Sequence, residues 1–292
     1  IQFEDYFKYD AKCRGNLGDE LPVMVYRMLE YSLKDELKNR FGKEVQIDVF
    51  RSAGRKAGEY FAKNMLNLDV PLDQFVNELQ KKMQELISQE ELDRAFDARF
   101  PKEMQVKLRA AKVAVAGIGG LGSNIAVMLA RTGVGHLLLV DFDVVDVTNL
   151  NRQMYFISQL GKPKTEALLE TLYQINPYLT YETVQTKVTP DNVKELFGGY
   201  PIVCEAFDKP DQKAMLVREL LMQCPDATVV SGNGMAGYAD TNAIKTRQMM
   251  RRLYVCGDQS TDVGDGIGLI APRVAACAAH EANKVLQLIM EK

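Results

Sequence analysis

Residues 115–122 read Val-Ala-Gly-Ile-Gly-Gly-Leu-Gly, with an apolar run, 113–116, in front and an Ala-rich apolar segment, 123–131, behind. Three of the glycines, Gly117, Gly119 and Gly122, keep the spacing G-x-G-x-x-G, and Gly120 lies between them. The pattern predicts a strand, a tight turn and a helix. Glycines let the backbone approach a phosphate closely, and the helix start aims free N–H groups and the positive end of its dipole at that phosphate. Such a turn takes its meaning from its context. Here Asp141 closes the next apolar run, 136–140, where a nucleotide-binding fold places the acid that holds a ribose hydroxyl.

The same rhythm continues down the chain. From Lys112 onward, strand patterns at 112–116, 136–141, 181–186, 201–205 and 227–231 alternate with helix patterns at 121–132, 163–175, 190–197, 210–222 and 272–290. Alternation of this kind predicts an α/β fold, a Rossmann-like and mostly parallel sheet with helices on both faces. Residues 1–87 differ in texture and read as a mainly helical N-terminal segment. Apolar positions from Leu21 to Leu37 keep helical spacing up to Gly42, 45–50 reads as a short strand, and Ala53, Gly54, Ala57 and Gly58 share a helical face. A last helix at 72–86 carries Leu72, Phe75, Val76, Leu79, Met83 and Leu86. These apolar faces are expected to be core. Ser88 with Glu91 three residues on makes a capping box, which sets the boundary near 87/88.

The bulk properties exclude several classes. With 292 residues, 47% hydrophobic and 26% charged, the composition is that of a soluble globular chain. A net charge of −3 gives no global basic field for nucleic acid or an anionic membrane, and no apolar run is long enough to cross a bilayer. Residues 1–12 carry Glu4, Asp5, Lys8 and Asp10, unlike a secretory leader. The cysteines, Cys13, Cys204, Cys224, Cys256 and Cys277, are odd in number and form no C-x-x-C pair. That argues against a disulfide framework or a zinc knuckle and points to a reducing cytoplasm.

An acid in the position of Asp141 fits the ribose of NAD and of ATP equally. The segment after it separates the two. Asp141, Asp143, Asp146, Asn149, Asn151, Arg152 and Gln153 crowd one loop, and Lys164 follows in Gly161-Lys-Pro-Lys, where a helix begins. A nicotinamide enzyme neutralises only a diphosphate, largely with backbone N–H groups. Splitting a triphosphate loads charge on the departing pyrophosphate and calls for cationic side chains and a metal. Arg152 can grip phosphate oxygens bidentately, and Lys164 supplies a point charge. Asp208 ends the strand at 202–206, opposite the glycine turn, where it either holds Mg²⁺ or caps the helix beginning near Pro210. His136 and His280 read as structural, which leaves a hydride-transfer enzyme without its usual catalytic acid.

Taken in order, G-I-G-G-L-G-S at 117–123, D-F-D at 141–143, N-L-N-R-Q at 149–153, G-K-P-K at 161–164 and Asp208 resemble the ubiquitin-activating-enzyme-like superfamily. Within it the chain is most similar to sulfur-carrier adenylyltransferases of the ThiF and MoeB kind. R-T-G-V-G at 131–135, E-A-F-D-K at 205–209, Y-V-C-G-D at 254–258 and A-P-R-V-A at 271–275 resemble the zinc-free second ThiF family. The resemblance spans 88–292. It implies binding of ATP and Mg²⁺, no zinc, and a small ubiquitin-like sulfur carrier whose Gly-Gly carboxylate attacks the α-phosphate, in service of thiamine synthesis. It implies that Asp141 binds ribose, that Asn149, Arg152 and Lys164 hold phosphates with Gln153 nearby, that Asp208 holds the metal, and that the enzyme is a homodimer. Gly232-Asn-Gly234 would leave a narrow channel for a tail without side chains. Cys256, expected in a mobile Gly- and Asp-rich loop, matches the region where some relatives use a cysteine for acyl or sulfur transfer. Three departures stand out: no paired C-x-x-C, Lys209 in place of an Asn, and Arg99-x-x-Lys102 where relatives place an arginine pair.

Residues 1–87 match no part of this family. Cys13-Arg-Gly and the run 50–58 faintly resemble the start of 4-vinyl-reductase-type domains, as in a fusion or a truncated module. Rival readings of 88–292 are a dehydratase that activates a carboxylate on threonylcarbamoyladenosine-bearing tRNA, an NAD-dependent oxidoreductase, and a non-catalytic scaffold.

Overall fold

The computed structural model describes residues 23–65, 88–262, 264 and 266–291. The chain divides into two compact units, Ile1–Leu86 and Ile87–Lys292.

In the first unit, helix α1 (Val23–Met65) is interrupted at Gly42, where φ is 85° and ψ 166°. Only glycine takes that conformation readily. The strand expected at 45–50 is helix instead. Val45, Ile47 and Val49 alternate as in a strand, but a strand needs a partner to receive its hydrogen bonds, and the helix on either side satisfies them locally. The expected core is not seen here among the described residues: Leu33 is exposed, and Gly54 and Gly58 face open space. The helix expected at 72–86 lies outside the described residues.

The second unit opens with α2 (Gln89–Asp97), whose capping box is made by Ser88 and Glu91. Helix α3 (Lys102–Ala110) leads into β1 (Lys112–Ala116). Next come α4 (Gly120–Thr132), β2 (His136–Asp141), α5 (Lys164–Ile175), β3 (Thr180–Gln185), α6 (Val193–Phe197) and β4 (Ile202–Glu205). Helix α7 (Pro210–Gln223), β5 (Thr228–Gly232), β6 (Lys245–Met250), β7 (Leu253–Gly257) and α8 (Ala271–Met290) complete it. The sheet runs β3-β2-β1-β4-β5-β7-β6, parallel except for the β6–β7 pair.

Alternation in the strands divides the core into two layers. Val113, Val115, Leu137, Leu139, Cys204 and Val230 pack under α4, α5 and α8. Ala114, Ala116, Leu138, Val140, Val203 and Val229 pack with Leu216 and Leu220 of α7 and Phe197 of α6. Both faces are covered, which is why the central strands read as nearly continuous apolar runs. β2 and β4 flank β1 on opposite sides, and a crevice opens at the carboxyl ends of β1 and β4, the point where such sheets bind ligands.

Strands β6 and β7 escape the sequence pattern. Lys-Thr-Arg-Gln-Met-Met is a polar edge strand, mostly exposed, with no apolar alternation to mark it. Cys256, expected in a mobile loop, sits instead in β7 between β5 and β6 and is 0% exposed.

Candidate active site

Gly117 leaves β1 with φ at 83°, and a Cβ there would lie 2.8 Å from the Phe207 ring and 3.0 Å from the Ala206 carbonyl oxygen. The chain can therefore pass between β1 and the end of β4 only as glycine. A Cβ on Gly122 would strike the Gly117 carbonyl oxygen. Gly119 takes the N-cap position of α4 without a side-chain cap, so the helix start is left to its backbone N–H groups.

Asp141 fixes the elbow from the β2 side. Its carboxylate accepts the N–H of Ile118 at 2.8 Å and that of Asp143 at 2.9 Å. Tyr155 supports the same turn by donating to the Ile118 carbonyl at 2.8 Å, and burial pushes its phenol above the ordinary range. The polar loop is laced onto α4. Asn124 donates to the carbonyls of Gly120 at 2.7 Å and Arg152 at 3.1 Å, and Ser123 accepts the N–H of Met154 at 3.1 Å. Arg152 is thereby held beside the glycines, and its guanidinium donates to the Thr148 carbonyl and to Asn151 Oδ1. Lys164, at the first residue of α5, is 5% exposed and pairs with Asp143 at 2.9 Å.

A cavity of about 1220 Å³ opens at the carboxyl ends of the strands. Gly117, Gly119, Gly120, Asp141, Arg152, Gln153, Lys164 and Asp208 all line it. Gln153, on the cavity lining, is 9% exposed, and its buried Oε1 has no hydrogen-bond partner among the described residues. Asp208 does not cap α7. Lys209 holds the N-cap position without a side-chain bond, and the Asp208 carboxylate is exposed at the cavity wall. No cluster of three or more His, Cys, Asp or Glu side chains able to hold a metal occurs among the described residues. Mg²⁺ needs only one or two carboxylates alongside substrate phosphates, which Asp208 can supply.

Three of the residues predicted to bind nucleotide or act in catalysis lie off the cavity lining. Gly122 is buried behind the elbow. Asn149 accepts the N–H of Asp146 at 2.9 Å and closes a turn at the loop's base. Cys256 lies in the core, within 3.4 Å of the Thr246 hydroxyl, and burial pushes its thiol up to about 12. Arg252, next to β7, donates to the carbonyls of Leu221, Cys224 and Ala227. Arg99 and Lys102 are exposed and do not line the cavity.

Sequence reasoning missed a buried polar group at the cavity wall. Glu205 is 0% exposed, Lys213 pairs with it at 2.9 Å, and Ser231 donates to it at 2.5 Å. The signal was present: an acid at the end of a strand, with a lysine one turn into the next helix. Farther along the wall, Gly234 lies against Asp258, whose carboxyl burial alone would raise. Hydrogen bonds from Ser260 and Thr261 outweigh that burial and hold it at about 2. Arg273 also donates to Asp258.

Comparison with known proteins bears on the fold and the family. The Aspergillus terreus "Adenylyltransferase and sulfurtransferase uba4" is 40% identical over 183 residues, covering 62% of this chain and 35% of that protein. A Haemophilus influenzae "Molybdopterin-synthase adenylyltransferase" is 37% identical over 116 residues, 39% of this chain and 48% of that one. The match thus spans about a third to a half of these two relatives. Among solved structures, the E. coli tRNA N6-threonylcarbamoyladenosine dehydratase in complex with ATP superposes with a TM-score of 0.64 at 27% identity, covering 70% of this chain and 97% of that one. The model of the ThiF family matches residues 92–292, more than half of the chain, and the chain therefore belongs to the ThiF family.

Proposed function

We propose that the ThiF-family unit is an adenylyltransferase that activates the terminal Gly-Gly carboxylate of a small ubiquitin-like sulfur carrier, for thiamine synthesis. The observation that carries the reading is the meeting of Arg152, Lys164 and Asp208, from three separate segments, around one cavity with the glycine elbow. Names of relatives, "adenylyltransferase" among them, support the same class.

In this reading Asp141 binds the ribose hydroxyls, and the elbow and the α4 start hold phosphate oxygens. Arg152 and Lys164 neutralise the charge that grows on the outer phosphates. Asp208 holds Mg²⁺, which when bound screens the triphosphate's negative charge. The carrier's carboxylate oxygen forms a bond to the α-phosphorus as the bond to the β-phosphate oxygen breaks, giving an acyl adenylate and pyrophosphate. No protein nucleophile takes part, so positioning and charge carry the rate. A cavity of about 1220 Å³ is larger than the roughly 300–1,000 Å³ usual for one small ligand, leaving room for a peptide tail beside a nucleotide. Exposed Phe142, Val144, Val147, Phe156 and Ile157 on one loop supply an apolar surface consistent with a homodimer.

Pyrophosphate–ATP exchange tests the proposal. Exchange should require the carrier with its terminal glycines and should be abolished by Asp208→Ala. Exchange that survives Asp208→Ala removes the metal assignment.

A second reading is supported by the ATP-bound dehydratase, which this chain matches over 97% of its length. There the activated carboxylate belongs to a modified nucleoside of tRNA. Exchange stimulated by such a tRNA and not by any carrier would select it.

A further inference from the structure

Glu205, Lys213 and Ser231 take no part in the reading above, yet they stand directly behind Asp208. Glu205 Oε1 accepts the N–H of Phe207 at 2.8 Å. Lys213 Nζ donates to the carbonyl oxygen of Phe207 at 3.0 Å, to Glu205 Oε1 at 3.2 Å and to Oε2 at 2.9 Å. Ser231, opposite Glu205 on the neighbouring strand β5, donates to Oε2 at 2.5 Å. One ion pair therefore grips both the N–H and the C=O of Phe207, fixing the two peptide units that flank it. Asp208 is the next residue. On its other side, the Phe207 ring lies against the glycine elbow.

Lys213 also lines the cavity and could pass for another phosphate ligand. Its hydrogen bonds argue otherwise. An ammonium has three protons, and three protein oxygens already surround this one. Glu205 is wholly buried, so Lys213, Ser231 and the Phe207 N–H supply the partners that water cannot.

We infer that Glu205, Lys213 and Ser231 form a backbone clamp that sets the Asp208 carboxylate relative to the glycine elbow, with Lys213 a positioning residue and not a nucleotide ligand. The inference rests on the reading in which Asp208 holds the divalent cation with the nucleotide.

The test is binding of a fluorescent ATP analogue to the full chain, titrated with Mg²⁺ and repeated in EDTA. Ser231→Ala removes a single hydrogen bond. The double variant Glu205→Gln with Lys213→Met removes the pair together and strands no buried charge; circular dichroism checks that each is folded, and Ser231→Ala carries the test if the double variant is not. The clamp predicts that the Mg²⁺ concentration for half-maximal binding rises about fivefold or more, the size of a lost hydrogen bond, while affinity in EDTA stays at the wild-type value. Affinity that falls equally in EDTA makes Lys213 a phosphate ligand and overturns the inference, as does an unaltered Mg²⁺ dependence. Asp208→Asn in the same assay separates the two levels. If it shifts the Mg²⁺ dependence and the clamp variants do not, the clamp alone is wrong. If it shifts nothing, the metal assignment falls and the clamp's purpose with it.

Discussion

Lys164 lies buried at the first residue of α5, with Asp143, half-exposed, as its partner. Removing the lysine leaves a carboxylate that water can solvate, so the fold should lose little, while the cavity loses a positive charge. Lys164→Ala should therefore lower pyrophosphate exchange by about 10²–10³-fold with nearly unchanged thermal midpoint. A collapse of the midpoint in parallel with the rate would instead make Lys164 a structural residue. Cys256 presents the opposite case. Its thiol is buried on β7 and held far from thiolate character, so Cys256→Ala should leave carrier adenylation intact. The native thiol should react with a disulfide reagent only at the rate at which the core opens, and rapid labelling would contradict the placement. At this scale the sequence announces the glycines, Asp141, Arg152 and Lys164, because phosphate chemistry needs those residue types in order. Lys213 is harder to read, because its partners, Glu205 at the end of β4 and the Phe207 carbonyl, meet it only once α7 has packed on the sheet.

Helix α8 shows how an element can bury an acid that its own sequence does not explain. Glu281 is 0% exposed and neither carboxyl oxygen has a hydrogen-bond partner among the described residues. Burial raises its carboxyl well above the usual value of 4.5, against a smaller opposing pull from Lys213. An acid held neutral in the folded state contributes its full stability below its unfolded value, and that stability is lost as pH rises toward the folded value. Glu281→Gln, which stays neutral, should thus be more stable than the parent at about pH 8 and close to it at about pH 4, as measured by urea midpoints. Equal midpoints at both values would show that Glu281 is ionised and paired. Legibility at this scale follows partners. Strands 112–116 and 136–141 are found at their predicted ends, because burial on both faces writes them as apolar runs. β6 is lost for want of such a run, and 45–50 reads as a strand because alternation alone cannot show whether a neighbouring strand is there to pair with it; none is found among the described residues.

For the molecule as a whole, the sheet order matters most. The carboxyl ends of β1 and β4 lie side by side, and everything that lines the cavity follows from that adjacency: the elbow from β1, Asp141 from β2, Asp208 from β4. The alternating pattern in the sequence foretells a parallel sheet, but not its order or the cavity's size, which arise from long-range packing. The net charge of −3 adds a further constraint, since it gives the chain no global basic field toward a polyanion and leaves any such attraction to local patches. The account's central claim is that this cavity directs a carboxylate to the α-phosphorus of ATP. Its most direct test is the mass of a ThiS-like carrier after incubation with the full chain, ATP and Mg²⁺. The account predicts a carrier heavier by one AMP at its C-terminus, one pyrophosphate released for each, and no change in a carrier lacking its last glycine. Cleavage of ATP to ADP and phosphate, with the carrier's mass unchanged, would contradict it.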